Sequence, residues 1–412
     1  MALVPDGLEL TWVGGHGVTY PLGFRTGSTA CGIRRTRPDL ALIVSEVPAA
    51  AAGVFTTNLV RASSVDFSHA VVSGGIAQAI FCKAGNANAC TGAEGERVTR
   101  DCATLTATAL GIDAQQVLVA ATGIIGRQVP YHKIVQGMPS AVAALEQGAA
   151  ADLAAAEAIR TTDTFAKQCA VIVTSPHWTG ELRIGGMCKG SGMIAPNMAT
   201  TLCFLTCDAR IDYTVLQHAL GVAMDRSFNR VTVDGDTSTN DMALILANAC
   251  GSGEIPSSGP AYDHFLAALT AISIRLAQLV AQDGEGATKR VDITVTGASS
   301  EVAAAQVGRT VAESPLVKTA CFGNDPNWGR IVAAAGRAGV YFDPARVVVV
   351  INGVTVFANG GPAEFDEPAL IDAMRAKVLD VQIDLDQGDE SATIWSCDLS
   401  YDYVRINAEY TT

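Results

Sequence analysis

Two hydrophobic periods interleave along this chain without settling into a regular beat, and that irregularity is the tightest constraint the sequence places on its fold. Period-two alternation marks 291–297 and 381–385 as half-buried strands. Helical spacing marks 263–282, where Phe265, Leu269, Ile272, Leu276 and Leu279 share one face, and amphipathic stretches cover 140–159, 213–224 and 368–379. A doubly wound parallel sheet needs strand and helix in strict turn. The irregular order here predicts a layered α/β architecture of mixed β-sheets covered by helices. The 412 residues exceed one typical core, so two or three domains are expected. The Ser-, Gly- and Pro-rich run 252–262 reads as a surface loop or a linker, and 288–412 as a smaller C-terminal α/β unit.

Charge narrows the partners. A formal net charge of −13 argues against phosphate backbones and anionic membranes, both of which select clustered Lys and Arg. The local cluster Arg34, Arg35 and Arg37 precedes a strand-like run, 40–44, and reads as a solvated turn without function. No basic region leads an apolar stretch at the N-terminus. The longest apolar runs, such as 347–351, fall far below the ~20 residues of a membrane span. A soluble, cytoplasmic protein is expected, with neither nucleic acid nor membrane as partner. The 11 cysteines are scattered with no Cys-x-x-Cys pair, which points to reduced, buried thiols. Histidines 16, 69, 132, 177, 218 and 264 are isolated, and none reads as the base of a triad.

The most unusual stretch is Gly185-Gly-Met-Cys-Lys-Gly-Ser-Gly-Met-Ile-Ala-Pro-Asn-Met-Ala-Thr-Thr-Leu202. Its glycines permit close backbone approach, and Pro196-Asn197 marks a turn into a strand beginning at Thr201. It lacks the Gly-Lys order of a phosphate-binding loop. Asp234, Asp236 and Asp241 suggest a cation loop by composition, but no spaced glutamate completes it, so a turn network is preferred and no metal is expected.

The run from Lys189 to Leu202 resembles the self-cleavage motif of the ornithine acetyltransferase family, the glutamate N-acetyltransferases of arginine biosynthesis. Further blocks agree in the same order: Gly85-Asn-Ala-Asn-Ala-Cys-Thr-Gly92, Ala121-Thr-Gly-Ile-Ile-Gly126, Thr161-Thr-Asp-Thr164, Val231-Thr-Val-Asp-Gly-Asp-Thr-Ser-Thr-Asn-Asp241, Asp283-Gly-Glu-Gly-Ala-Thr-Lys289 and Asn327-Trp-Gly-Arg330. One departure is Cys82-Lys-Ala-Gly85, where relatives usually carry Asn-Ser-Gly; it touches no residue assigned to catalysis.

The resemblance implies a self-processing fold of the N-terminal-nucleophile kind, cut between Ala199 and Thr200 into chains 1–199 and 200–412. Thr200 would be the nucleophile, with its freed α-amine as general base. Thr122 and Gly123 would form the oxyanion hole. Thr161, Lys189, Thr200, Glu285, Asn407 and Thr412 would hold the substrates, N-acetylornithine and then glutamate. Lys189 suits a carboxylate and Glu285 an ammonium. Involvement of Asn407 and Thr412 requires the C-terminal tail to fold back over the site. The family implies an α2β2 heterotetramer and no organic cofactor or metal, with acetyl-coenzyme A as a second donor in bifunctional members. Two other readings stay open: a self-processing aminopeptidase or amidase, and a non-catalytic amino-acid-binding protein.

Overall fold

The computed structural model describes residues 5–195 and 201–409. The first part runs β1 (Glu9–Val13), β2 (Phe24–Thr29), β3 (Leu40–Phe55), α1 (Ser63–Val72), β4 (Ile76–Asn86), α2 (Gly92–Leu110), β5 (Val117–Ile124), α3 (Tyr131–Ala143), α4 (Ala149–Ile159), β6 (Lys167–Thr174) and β7 (Leu182–Lys189). The middle part holds β8 (Leu202–Cys207), β9 (Arg210–Ile211), α5 (Tyr213–Asp225), β10 (Met242–Ala247), β11 (Glu254–Ile255) and α6 (Pro260–Gln282). The last part holds β12 (Arg290–Ala298), α7 (Glu301–Ala312), α8 (Pro315–Gly323), α9 (Trp328–Gly336), β13 (Val348–Ile351), β14 (Val354–Ala358), β15 (Gly361–Pro362), α10 (Glu367–Ala373), β16 (Val378–Asp384), β17 (Glu390–Cys397) and α11 (Tyr401–Glu409).

These elements build the expected mixed α/β layers. Nine strands form one sheet in the order β1-β6-β7-β8-β10-β3-β4-β5, with β2 pairing β3. Parallel β8–β10 and β4–β5 pairs sit among antiparallel neighbours. Six more strands, β15-β14-β13-β16-β12-β17, form a second sheet with its own core against α7, α9 and α10. Helix α6 touches β6 and β7 of the first sheet and β12 and β17 of the second, so it is a shared layer. By length and composition this 23-residue helix is apolar enough to cross a membrane. Here, however, the face carrying Phe265, Leu269, Ile272 and Leu276 is wholly buried in the first core, which is the usual fate of an apolar helical stripe.

Two expected helices take another form. The stretch 140–159 is two helices, α3 and α4. Between them Glu146 exchanges both backbone hydrogen bonds with Thr26 on β2, and Gly148 adopts a φ of 113°. That edge pairing breaks the helical register. The stretch 368–379 stops being helical at Ala373, because Val378 onward joins β12 in a parallel ladder. All 11 cysteines are free, and burial pushes thiols such as that of Cys82 up to about 12.

Candidate active site

A cavity of about 120 Å³ gathers residues from six distant parts of the chain. Thr122 and Gly123 enter from the end of β5, Thr161 and Thr162 from the turn after α4, Lys189 from the end of β7, Ser238 to Asp241 from the approach to β10, Glu285 from the turn after α6, and Asn407 from α11. Gly192, Met193, Thr201 and Leu202 complete the wall. Six of the residues implied by the family resemblance, Thr122, Gly123, Thr161, Lys189, Glu285 and Asn407, are therefore together. Ala199, Thr200 and Thr412 lie outside the described residues, while Met193 and Thr201, which flank the first two, both face this cavity.

Local geometry explains the residue types. Gly123 has a φ of 127°, and β4 runs so close that a Cβ there would fall 2.4 Å from the Gly85 carbonyl carbon; only glycine fits. The Lys189 ammonium donates to the Thr122 hydroxyl oxygen at 3.3 Å, which leaves the Thr122 O–H free to serve as a donor. A Cβ at Gly192 would lie 2.3 Å from the Glu285 carboxyl carbon, so a larger residue there would push that side chain aside. Glu285 in turn accepts from the Asn407 side-chain amide at 2.8 Å, and its backbone N–H donates to the Ser191 carbonyl at 3.0 Å. The C-terminal helix thus folds back onto the pocket. It is fixed there by Ser400, whose hydroxyl donates to the Gly286 carbonyl.

Behind the wall lies a buried charge cluster. Lys167, with no exposed surface, donates to Asp163 at 2.6 Å and to Asp283 at 2.5 Å. Asp163 also accepts from the backbone N–H groups of Gly190 and Thr161, and Asp283 accepts from the N–H and hydroxyl of Thr164. Burial alone would raise the Asp163 carboxyl, but the Lys167 and Lys189 ammoniums hold it well below the usual carboxylate range. Burial likewise opposes charge on Lys167, and the two carboxylates overcome it and raise its pKa. The cluster therefore fixes the backbone that presents Thr161 and Lys189 and joins it to the turn that presents Glu285.

The acidic block divides its work. Asp234 accepts from the N–H groups of Met193 and Ile194, which pins the backbone five residues ahead of Ala199. The Asn240 amide donates to the carbonyls of Ala87 and Ala121 at 2.6 and 2.9 Å, tying the β5 turn to β10 across two intervening strands. Among the described residues no group of three or more His, Cys, Asp or Glu is placed to hold a metal.

Three contributors escape the sequence reading. Arg34, placed above in a solvated turn, is half-buried and donates to the carbonyls of Arg160 and Thr161, which sets the Thr161 turn. Lys83, in the segment that departs from the family pattern, is fully buried and donates to the carbonyl of Asn86 at 2.6 Å. Burial lowers its pKa to about 8. Its strand lies directly beside the Thr122–Gly123 segment, with Ala84 opposite Thr122 and Gly85 opposite Gly123. Asn240 is the third. Arg34 and Asn240 act through carbonyls of distant segments, which leaves no mark in local sequence, and Lys83 acts through a carbonyl three residues on in its own strand.

The ArgJ family model matches residues 25–412. The chain belongs to the ArgJ family. Among its relatives, the arginine biosynthesis bifunctional protein ArgJ of Thermosynechococcus vestitus is 46% identical, over 96% of this chain and 98% of that protein. The ArgJ of Symbiobacterium thermophilum is also 46% identical, over 98% and 100%. A solved chain from Mycobacterium tuberculosis, described as ornithine acetyltransferase complexed with ornithine, is 38% identical, with 46% of this chain and all of that chain covered and a TM-score of 0.44.

The Thr122 hydroxyl offers a direct test of the oxyanion assignment. Thr122→Val keeps the β-branched shape and removes the donor, so kcat for acetyl transfer is expected to fall about 100- to 1,000-fold with KM changed by only a few-fold. Steady-state kinetics check this, and a fall below threefold contradicts the role.

Proposed function

We propose that this chain is an acetyltransferase of arginine biosynthesis, working in the cytoplasm, that moves the acetyl group of N-acetylornithine to glutamate. It first cuts itself between Ala199 and Thr200. The Thr200 hydroxyl then attacks the acetyl carbonyl while its own α-amine takes the proton, and ornithine leaves with that proton as the C–N bond breaks. Glutamate attacks the acetyl-Thr200 ester to give N-acetylglutamate. Acetyl-coenzyme A is a further donor if the protein shares the bifunctional character in its relatives' names. No cofactor enters this scheme.

The observation that carries the reading is the convergence of a hydroxyl–glycine pair, a lysine and a glutamate on one pocket whose wall includes both flanks of the 196–200 segment. Thr122 and Gly123 suit a developing oxyanion. Lys189 and Glu285 complement the carboxylate and ammonium that ornithine and glutamate share, so one pocket can serve both half-reactions in turn.

The sheet supports a product of two interlocked chains. Strand β8, after the cut, pairs with β7, before it, through six residues from Lys189–Leu202 to Ile184–Cys207. On its other side β10 pairs with β3, again across the division, from Met242–Phe55 to Ala247–Ala50. Cutting one bond leaves both ladders and the Lys167–Asp283 pair intact. Assembly of two such pairs into an α2β2 heterotetramer completes the proposal.

Incubation with N-acetylornithine, with and without glutamate, tests the chemistry. Ornithine release is expected to depend on glutamate and to match N-acetylglutamate formed. Release indifferent to glutamate contradicts transfer and marks a hydrolase.

A further inference from the structure

The β4–β5 ladder loses its register beside the Thr122–Gly123 pair. It runs in step from Ala79–Val117 to Gly85–Gly123, and then Asn86 pairs with both Thr122 and Ile124, so the strands no longer match one to one at Gly123. An irregularity of this kind bends a strand and re-aims what it carries. Gly123 is pressed against the bend, since a Cβ there would lie 2.5 Å from the Asn86 nitrogen. The position of the Gly85–Asn86 peptide therefore limits where the Gly123 N–H can point.

Lys83 holds that peptide. Its ammonium donates to the Asn86 carbonyl at 2.6 Å and to the Asn86 side-chain oxygen at 3.2 Å. Both acceptors are neutral, and an ammonium buried against neutral acceptors gains none of the attraction that a carboxylate would return. By alternation along β4, Lys83 shares the face of Ala79 and Phe81, which packs with Val98 and Cys102 of α2, while its neighbour Ala84 lies opposite Thr122. Its route to the site is Asn86. The Asn86 amide donates to the carbonyls of Arg127 and Gln128 at 3.0 and 3.4 Å, its side-chain oxygen accepts from the Asn88 N–H at 2.8 Å, and the Ala87 N–H donates to the Ile124 carbonyl at 2.9 Å. Asn240 ties Ala87 to Ala121 on the near side of the pair, so the end of β4 grips β5 both before and after Gly123.

We propose that Lys83 is a positioning residue for acyl transfer, whose hold on Asn86 fixes the break in the β4–β5 ladder that aims the Gly123 N–H into the pocket. The inference rests on the reading of Thr122 and Gly123 as the oxyanion hole. Lys83 itself touches no reacting group and exchanges no proton in the reaction. An oxyanion forms only on the way through the transition state, whereas Lys189 and Glu285 hold the substrate before and during it. A displaced Gly123 N–H therefore lowers kcat and leaves KM close to its original value.

Lys83→Met keeps an unbranched side chain of similar volume and removes its donors. In the folded variant kcat for acetyl transfer is expected to fall about 10- to 100-fold, with the KM for N-acetylornithine within about threefold of wild type. Asn86→Ala should lower kcat in the same way, and the double variant no further than the larger single effect, because both changes cut one connection. A packing defect alone would lower the melting temperature and leave kcat, measured well below it, unchanged. If Lys83→Met does not fold, Asn86→Asp interrogates the same connection: it keeps both acceptors for Lys83, replaces the amide that holds the Arg127 and Gln128 carbonyls, and should give the same fall in kcat. A folded Lys83→Met or Asn86→Asp enzyme with wild-type kcat overturns the proposal, and so does a double variant whose losses multiply. Thr122→Val, measured beside them, keeps the two readings apart. If it alone lowers kcat, the oxyanion hole stands and the role of Lys83 falls; if it leaves kcat unchanged, the oxyanion-hole reading itself is refuted.

Discussion

Thr200→Ala is expected to accumulate as a single folded polypeptide of 42.6 kDa with no measurable transfer of acetyl groups. The same hydroxyl performs two attacks in the proposed scheme, first on the Ala199 carbonyl and then on each acyl donor, so its removal stops both. Loss of an activated nucleophile typically costs several orders of magnitude in rate, far more than loss of one oxyanion donor. Because the β7–β8 and β10–β3 ladders depend on residues other than Thr200, the uncut chain retains its fold. Electrophoresis under denaturing conditions, circular dichroism and the acetyl-transfer assay together check this. A variant that still splits and still transfers contradicts the mechanism.

The second large effect concerns stability. Lys167→Met leaves Asp163 and Asp283 buried without the cation that both contact, and removal of one member of a buried ion cluster costs about 3–5 kcal/mol. Its sign with pH follows from the shifts. In wild type the depressed Asp163 pKa gives stability that is present above the normal carboxylate pKa and is lost only as pH falls through a much lower folded value. The raised Lys167 pKa gives stability that is present below the normal lysine pKa and is lost above it. In the variant, burial of Asp163 no longer has the Lys167 cation opposing it and raises that carboxyl, so acid relieves the strain by protonating it. The destabilisation should therefore be smaller near pH 5 than near pH 8. Addition of Asp163→Asn and Asp283→Asn should recover part of the loss. Denaturant midpoints at the two pH values measure this, and a loss under about 1 kcal/mol at pH 8 contradicts the structural role assigned to the cluster.

Much of this architecture can be read from the chain because local period and tertiary burial agree. Helix α6 is the clearest case, since its apolar face is the face the core covers. Strands β12 and β16 likewise alternate in burial as their sequence alternates in polarity. Period misleads where a long-range contact overrides it. The β2 edge at Thr26 captures Glu146 and splits one amphipathic stretch into α3 and α4, and parallel pairing with β12 ends α10 early. In the site, the glycine-rich run and the Thr122–Gly123 pair stand out in sequence because close approach permits few residue types there. Arg34, Lys83, Asn240 and the Asp163–Lys167–Asp283 cluster do not stand out. For Arg34, Asn240 and the Lys167–Asp283 pair the role arises only when groups more than 100 residues apart meet, as Arg34 meets Thr161 and Asn240 meets Ala121.

The account is tested most directly by the N-terminal sequence of the catalytically active enzyme. Besides the original terminus it should reveal a second one beginning Thr-Thr-Leu-Cys-Phe, with masses that sum to the 42.6 kDa chain plus one water. Full acetyl-transfer activity from a preparation whose only terminus is Met1 would show that the reaction proceeds without the amine on which the mechanism depends.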